Sequence, residues 1–153
     1  MTTKLKTKNK RLLKLNKKFV PVSAKNSDEL FRNGIFIFNI SKMIEFIKSN
    51  PELFKVHVLL LKDYRTEFSV INEEHFDSLN NTEPVILGEI APGKYNIIDG
   101  NHRTEKAYRA EKDRINAYKI QPELHIQFLT TLKGYHAYID YWNDKINTYP
   151  NRI

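Results

Sequence analysis

The most informative stretch of the chain is Asn96-Ile97-Ile98-Asp99-Gly100-Asn101-His102-Arg103. A short apolar run ends here in an Asp-Gly turn, and an amide, an imidazole and a guanidinium follow at the start of a predicted helix. A strand that breaks at a glycine and leads into a helix presents main-chain N–H groups and the positive end of the helix dipole. Because a histidine and an arginine stand at the same point, the stretch predicts a binding site for phosphate.

Five residues of this turn are predicted to bind the phosphate: Gly100, Asn101, His102, Arg103 and Thr104. Gly100 lets the main chain approach the anion and adopt a positive φ. The N–H groups from Asn101 onwards point at the phosphate, and Arg103 holds two of its oxygens in fork geometry. Thr104 adds a hydroxyl contact. The turn therefore combines main-chain and side-chain donors around one anion.

Two residues of the same stretch are the predicted catalytic groups. His102 donates to the phosphate or moves a proton, since imidazole titrates near neutrality. Asp99 orients His102, holds Mg²⁺ through water or acts as a base. The alternative interpretation is a plain Asp-Gly turn, with Asn101 as a helix cap and the charges on a solvated helix face.

The whole chain has the composition of one folded domain. Its 153 residues are 41% hydrophobic and include nine Phe and eight Tyr, which is enough for a core. The absence of cysteine excludes disulfides, thiolate metal sites and a cysteine nucleophile, and is compatible with the cytoplasm.

No apolar run approaches the roughly 20 residues that span a bilayer, so no membrane association is predicted. The remaining histidines show no metal-ligand spacing, so no metal site is predicted.

The positive charge is concentrated at the N-terminus. Residues 1–18 contain seven Lys and Arg11 with no acidic residue, whereas the rest of the chain holds 17 basic and 18 acidic residues. Residues 1–18 are therefore interpreted as a mobile basic arm, and residues 19–153 as the domain. The arm is either a solubilising tail or a nucleic-acid contact. In the second case the contact residues are Lys4, Lys6, Lys8, Lys10 and Arg11.

The first half of the domain is predicted to alternate strands and helices. Residues 35–40 form a strand, and Ser41 caps a helix over residues 42–49 whose buried stripe includes Met43, Ile44, Phe46 and Ile47. The further expected elements are a buried strand over residues 56–61, a loop over residues 63–70 and a short helix over residues 73–79.

The second half of the domain is predicted to be a hairpin followed by helices and one more strand. Residues 84–90 and 94–98 pair around a turn at residues 91–93. A helix runs from Gly100 to about Lys112, and residues 115–120 form a strand. Pro122 begins a helix that Gly134 ends. Five residues mark the buried face of the last helix: Tyr135, Tyr138, Ile139, Trp142 and Ile146.

Residues 84–119 resemble the ParB/sulfiredoxin superfamily, whose members carry Asp-Gly-x-His-Arg or Gly-x-x-Arg between a strand and a helix. Here the element is Asp99-Gly100-Asn101-His102-Arg103. The resemblance implies a small α/β (α+β) domain, with a mixed sheet, flanking helices and a nucleotide-phosphate site at the turn. The C-terminal helices and the basic arm lie outside it.

The turn sequence of this chain differs from that of some subgroups of the superfamily, and these differences exclude some of the implied functions. Sulfiredoxins place a catalytic cysteine before the His-Arg pair, where this chain has Asn101, so their reductase chemistry is excluded. Partitioning ParB proteins, which use CTP, have Gly-Glu-Arg-Arg at the turn. The closer subgroup is Asp-Gly-x-His-Arg, which includes ADP-dependent free serine kinases and small ParB-like proteins described as nucleases or ATPases.

The implied function is therefore a ParB-like protein of DNA metabolism that binds ATP, ADP or CTP, with Mg²⁺ as an accompanying ion. Hydrolysis or transfer of a phosphate ester is the implied reaction, and DNA is a partner through the basic arm. Two alternatives stay open. One is a small-molecule kinase with a nucleotide donor, and the other is a non-catalytic DNA-binding or regulatory module.

Overall fold

The computed structural model describes residues 11–64 and 83–148. Six strands lie in this part of the chain: β1 (Leu30–Asn33), β2 (Phe36–Asn39), β3 (His57–Leu60), β4 (Val85–Ala91), β5 (Lys94–Asp99) and β6 (Arg114–Ile120). The α-helices are α1 (Ile40–Ser49), α2 (Asn101–Arg109), α3 (Pro122–His125) and α4 (Leu132–Thr148). Short 3₁₀ turns follow β3 and α3. The protein is therefore of mixed α+β class, as the sequence predicts.

The larger sheet has the strand order β3-β6-β4-β5. β4 and β6 run parallel, whereas β3 pairs with β6 and β4 with β5 in antiparallel fashion, so the sheet is mixed. β1 and β2 form a separate antiparallel pair. The chain leaves β5, the edge of the larger sheet in this order, and enters α2 directly, which puts the predicted turn at the end of that edge strand.

The core lies on both faces of the larger sheet. Ile86 and Ile98 pack with α1, α4 and the segment after α3 in the larger cluster. Their chain neighbours Val85 and Ile97 belong to a smaller cluster with Leu87 and Ala117. Consecutive strand residues point to opposite faces, so this division follows from the pleat. Within the described residues, no helix is long and apolar enough to cross a membrane.

Several predicted elements are confirmed. The hairpin forms around Gly93, which has φ of 75°, and β6 lies within one residue of its predicted bounds. Pro122 begins α3. All five residues of the predicted face of α4 are buried: Tyr135, Tyr138, Ile139, Trp142 and Ile146. These aromatic side chains pack the core, and the side chain of Trp142 is fully buried.

The start of α1 differs from the prediction. Asn39, and not Ser41, is the N-cap, because its side chain accepts a hydrogen bond from Lys42 N at 3.0 Å. The Ser41 hydroxyl instead accepts from Glu29 N at 2.8 Å. Asn39 Nδ2 also donates to the carbonyl of Ser23, so a single buried amide joins the helix start to the preceding loop.

The role predicted for Gly134 is wrong. It lies in the first turn of α4, where its N–H donates to Thr131 Oγ1 at 2.9 Å, and α3 has already ended at His125. A Cβ at Gly134 would lie 2.8 Å from the carbonyl oxygen of Ile35. The glycine therefore permits close packing of α4 on the β1–β2 turn and does not end a helix.

Two further boundaries are corrected. Alternate residues of β3, Val58 and Leu60, are exposed because they share one uncovered face of the strand, where a buried strand was predicted. α2 ends at Arg109, short of Lys112, and Glu111 then adopts a positive φ of 59°. The predicted helix over residues 73–79, and the predicted loop beyond Tyr64, lie outside the described residues.

Candidate functional site

The turn between β5 and α2 requires its glycine. Gly100 has φ of 105° and ψ of 22°, in the left-handed region that side chains disfavour. A Cβ there would lie 2.5 Å from Cγ1 of Val85. The glycine therefore both turns the chain and lets it pass against β4.

The first turn of α2 begins at this glycine, which is the N-cap. Thr104 N donates to the Gly100 carbonyl at 2.9 Å, and Thr104 Oγ1 donates to the same oxygen at 2.9 Å. The amides of residues 101–103 precede this bond, so they have no acceptor within the helix. Thr104 is buried and its hydroxyl is engaged within the helix, so the predicted phosphate contact is not supported by its geometry. Asn101 is the first residue of the helix, so the alternative prediction that Asn101 is the N-cap is wrong.

Arg103 reaches back along α2 to the strand it follows. Its Nη2 donates to Asp99 Oδ2 at 3.0 Å and makes a long contact of 3.4 Å with the carbonyl oxygen of Pro84. Its Nε is buried and has no hydrogen-bond partner in the part of the chain that the structure describes. The side chains of Arg103 and Asp99 are 18% and 8% exposed. The guanidinium is therefore held by one carboxylate while part of its donor capacity is unused.

A cavity of about 200 Å³ lies beside this ion pair. Its apolar walls come from α1, β4 and β6, and its polar lining is two basic and two acidic side chains. The lining residues are Ile44, Ile47, Lys48, Glu83, Pro84, Ile86, Asp99, Arg103 and Tyr118. Among the lining residues, Lys48 Nζ lies 3.9 Å from Glu83 Oε1, and both side chains are about half exposed.

The structure brings three of the predicted site residues together. Asp99 and Arg103 line the cavity, and Gly100 lies between them in the chain. Asn101 and His102 are half-buried at the start of α2 and do not line it. Arg109, further along the same helix, pairs with Glu105 at 3.0 Å.

The cavity wall also contains residues for which no site role was predicted. Ile44, Ile47 and Lys48 come from α1, and Tyr118 comes from β6. The sequence did predict Ile44 and Ile47 on the buried stripe of a helix, but their proximity to the turn depends on tertiary packing. Lys48 carried no signal beyond its place in the last turn of that helix.

Arg11 lies in a different part of the protein from the turn. Its guanidinium donates four hydrogen bonds, two to Glu89 and two to Glu123, at 2.7–2.9 Å. These carboxylates raise the pKa of Arg11 above its usual range. This network assigns Arg11 to the folded domain and not to the predicted mobile arm. The other predicted nucleic-acid contacts, Lys4, Lys6, Lys8 and Lys10, lie outside the described residues.

A buried histidine lies next to this network. His125 Nε2 lies 3.0 Å from the carbonyl oxygen of Glu89, to which Tyr138 also donates. His125 Nδ1 is buried with no partner among the described residues. Burial lowers the pKa of His125 from 6.5 to about 4, so the ring is neutral at pH 7.

Comparison with protein-family models, with curated proteins and with solved structures finds no match to this chain. In the described part of the chain, no group of three or more His, Asp or Glu side chains is arranged to hold a metal ion.

Proposed function

We propose that the protein binds the phosphate of a nucleotide at the turn of residues 99–103 and acts in DNA metabolism as a ParB-like protein. The observation that carries this proposal is the unsaturated guanidinium of Arg103 at the wall of a cavity, beside the start of α2. The resemblance of residues 84–119 to the ParB/sulfiredoxin superfamily gives the class of ligand.

The donors of Arg103 support an anionic ligand. A buried N–H with no acceptor costs about 1–3 kcal/mol, which an oxygen of the ligand would recover. Nε is shielded in this structure. We therefore expect the guanidinium to turn when the ligand arrives and to give up its long contact with Pro84. A phosphate then accepts from two nitrogens of the fork.

The dimensions of the cavity limit what enters it. Sites that enclose a whole drug-sized ligand have volumes of about 300–1,000 Å³. A cavity of about 200 Å³ accommodates a phosphate and part of its nucleoside, and the rest of the nucleotide lies outside. Ile44, Ile47 and Ile86 supply an apolar surface for the sugar or the base. We expect affinity to depend on the phosphate and on one adjacent ring.

The charges of the cavity favour binding assisted by a cation. Arg103 and Lys48 are balanced by Asp99 and Glu83, so the four lining charges sum to zero. A multiply charged nucleotide would therefore enter with Mg²⁺ as counter-ion. Asp99 accepts a hydrogen bond from Arg103 in this structure. Its predicted roles as base or as ligand of Mg²⁺ through water, and the predicted proton transfer by His102, remain predictions.

The first experiment is a thermal-shift panel with ATP, ADP, CTP and GTP, each with Mg²⁺, on wild type, Arg103→Ala and Arg109→Ala. A ligand at 100 times its Kd adds about 2.7 kcal/mol of stability, which raises the melting temperature. We expect a rise with at least one nucleotide in wild type and in Arg109→Ala, and none in Arg103→Ala. The control is matched because both arginines lie on α2 and pair with a carboxylate four residues earlier. An equal rise in all three proteins would contradict the site.

The role of DNA is tested separately. Replacing Lys4, Lys6, Lys8 and Lys10 with alanine should weaken binding to double-stranded DNA and reduce the slope of log K against log salt by up to about 3.6, at about 0.9 for each phosphate contact. An unchanged slope would remove the arm from the proposal. Nucleotide turnover without DNA, stimulated by a hydroxyl-bearing metabolite, would instead favour the kinase alternative.

A further inference from the structure

The segment of residues 11–19, here called the strap, lies along one side of α4. The helix holds the strap by its main chain. Trp142 Nε1 donates to the carbonyl of Arg11 at 2.7 Å. Asn143 forms two bonds with Leu13, accepting from its N–H at 2.8 Å and donating to its carbonyl at 2.9 Å. Two adjacent helix side chains therefore bind three main-chain groups of the strap.

The N-terminal end of the strap is anchored by one side chain. The guanidinium of Arg11 donates to Glu89 through Nη1 and Nη2, and to Glu123 through Nε and Nη2. Its Cζ lies 5.2 Å from the ring centroid of Trp142. The side chain of Glu89 is 1% exposed. Leu13 is buried against the larger core cluster. The domain thus holds the Arg11 side chain between two carboxylates and the Leu13 side chain among apolar residues.

The C-terminal end of the strap is held by an aromatic residue. Tyr135 accepts at its hydroxyl from Asn16 N at 2.9 Å, and its ring stacks on Phe19 with centroids 3.7 Å apart and an angle of 3° between the planes. Tyr135 and Trp142 lie seven residues apart on α4, so both project from the same side of the helix. The contacts with the strap therefore extend over two turns of α4.

The strap is held as peptide ligands are held. Across the described residues, its main chain makes no hydrogen bond to the main chain of a strand or helix of the domain. Side chains of the domain bind its main chain, and the side chains of Arg11 and Leu13 are held by the domain, as in a peptide bound in a groove; the strap then ends in a turn at which Phe19 N donates to the carbonyl of Asn16 at 3.0 Å.

We propose that α4, Glu89 and Glu123 form a peptide-binding groove, that its resident ligand is the chain's own strap, and that the strap is separable from the domain. The groove selects an arginine followed two residues later by a leucine. Because the strap is covalently attached, its effective concentration is high, and a peptide in trans competes poorly with it. This inference is independent of the nucleotide site.

The test weakens the strap in cis and supplies it in trans. The full chain carrying Arg11→Ala is melted with and without a synthetic peptide of residues 9–20. The control peptide is identical except for alanine at the arginine. We expect the native peptide to raise the melting temperature of the variant by at least about 4 °C, and the control peptide to leave it unchanged. Wild type, whose groove is occupied, should respond to neither peptide.

Two outcomes would overturn the proposal. A folded variant that does not respond to the native peptide would mean that the strap is an integral part of the core. Dimerisation of the variant, read by light scattering on the same samples, would mean that a second copy fills the groove. If Arg11→Ala does not fold alone, it is refolded with each peptide. Recovery of the folded signal with the native peptide alone supports the proposal, and no recovery overturns it.

Discussion

Arg11 and Arg103 each pair with a nearly buried carboxylate, but they use their guanidinium groups differently. Arg11 donates four hydrogen bonds to residues 78 and 112 positions away in the chain. Arg103 donates to Asp99, four positions away, and has a buried Nε without a partner among the described residues. The saturated guanidinium of Arg11 stabilises the fold, and we propose that the unsaturated guanidinium of Arg103, at the cavity, binds a ligand. On this proposal the number of engaged donors separates the two arginines.

The largest expected effect comes from Arg11→Ala. Loss of the guanidinium leaves the Glu89 carboxylate buried without its partner, and breaking such a pair costs about 4 kcal/mol. The free energy of unfolding, measured by urea denaturation, should fall by this amount. Lys48→Ala removes a pair with Glu83 in which both side chains are about half exposed, and it should change the free energy of unfolding by less than about 0.5 kcal/mol. Equal effects of the two substitutions would contradict the structural role of Arg11.

The second effect is a pH dependence of the free energy of unfolding, which arises from His125, next to the Arg11 network. The pKa of its ring is about 4 in the folded protein, against an ordinary value of 6.5. The unfolded chain therefore binds more protons between these values. The free energy of unfolding therefore has its full value above pH 6.5. It falls by about 3 kcal/mol as the pH is lowered towards 4.

Urea denaturation of wild type and His125→Gln across this range isolates the contribution of His125, because the other titrating groups are shared. The difference between the two proteins should change with pH. His136→Gln, which replaces an exposed histidine, should follow wild type throughout. A pH-independent difference for His125→Gln would show that the buried ring is not the source.

The third effect concerns the turn itself. Gly100→Ala introduces strain at φ of 105° and a contact of 2.5 Å with Val85, so we expect a loss of about 2 kcal/mol. Gly93→Ala meets nothing within 4 Å at φ of 75°, so only the strain, about 1 kcal/mol, applies. Thermal denaturation of both variants compares them directly. A larger loss in Gly93→Ala would contradict the close approach of the turn to β4.

Arg103→Ala is expected to destabilise the protein much less than Arg11→Ala does, by about 1 kcal/mol. The substitution removes one local ion pair together with a donor that has no acceptor. It leaves Asp99 near the N-terminus of α2, where a negative charge is favoured. Urea denaturation should therefore place this variant well above Arg11→Ala in stability. A loss as large as that of Arg11→Ala would mean that Arg103 is also structural.

The sequence predicted the features that depend on neighbouring residues. The Asp-Gly turn, the hairpin and the apolar face of α4 follow from local patterns, and the structure has all of them. The N-cap of α1 was missed because Asn39 and Ser41 are both good caps, and contacts outside the helix distinguish them: Asn39 donates to the carbonyl of Ser23, and the Ser41 hydroxyl accepts from Glu29 N.

The features that depend on distant residues were not predicted. Arg11 was placed in the arm because its neighbours are lysines, whereas its partners lie in β4 and α3. One local signal was present, since Glu89 is a lone carboxylate within an apolar strand. A buried charge requires a partner, and that requirement points to a distant cation. The contribution of α1 to the cavity also results from tertiary packing.

The most direct test of the comparison is the nuclear magnetic resonance spectrum of the arginine Nε–H groups during a nucleotide titration. The signals of Arg103 and Arg11 are assigned by their loss in Arg103→Lys and Arg11→Lys. We predict that the Arg103 signal moves as the nucleotide with Mg²⁺ is added, while the Arg11 signal stays in place. An Arg103 signal that does not move at a nucleotide concentration that saturates the protein would contradict it.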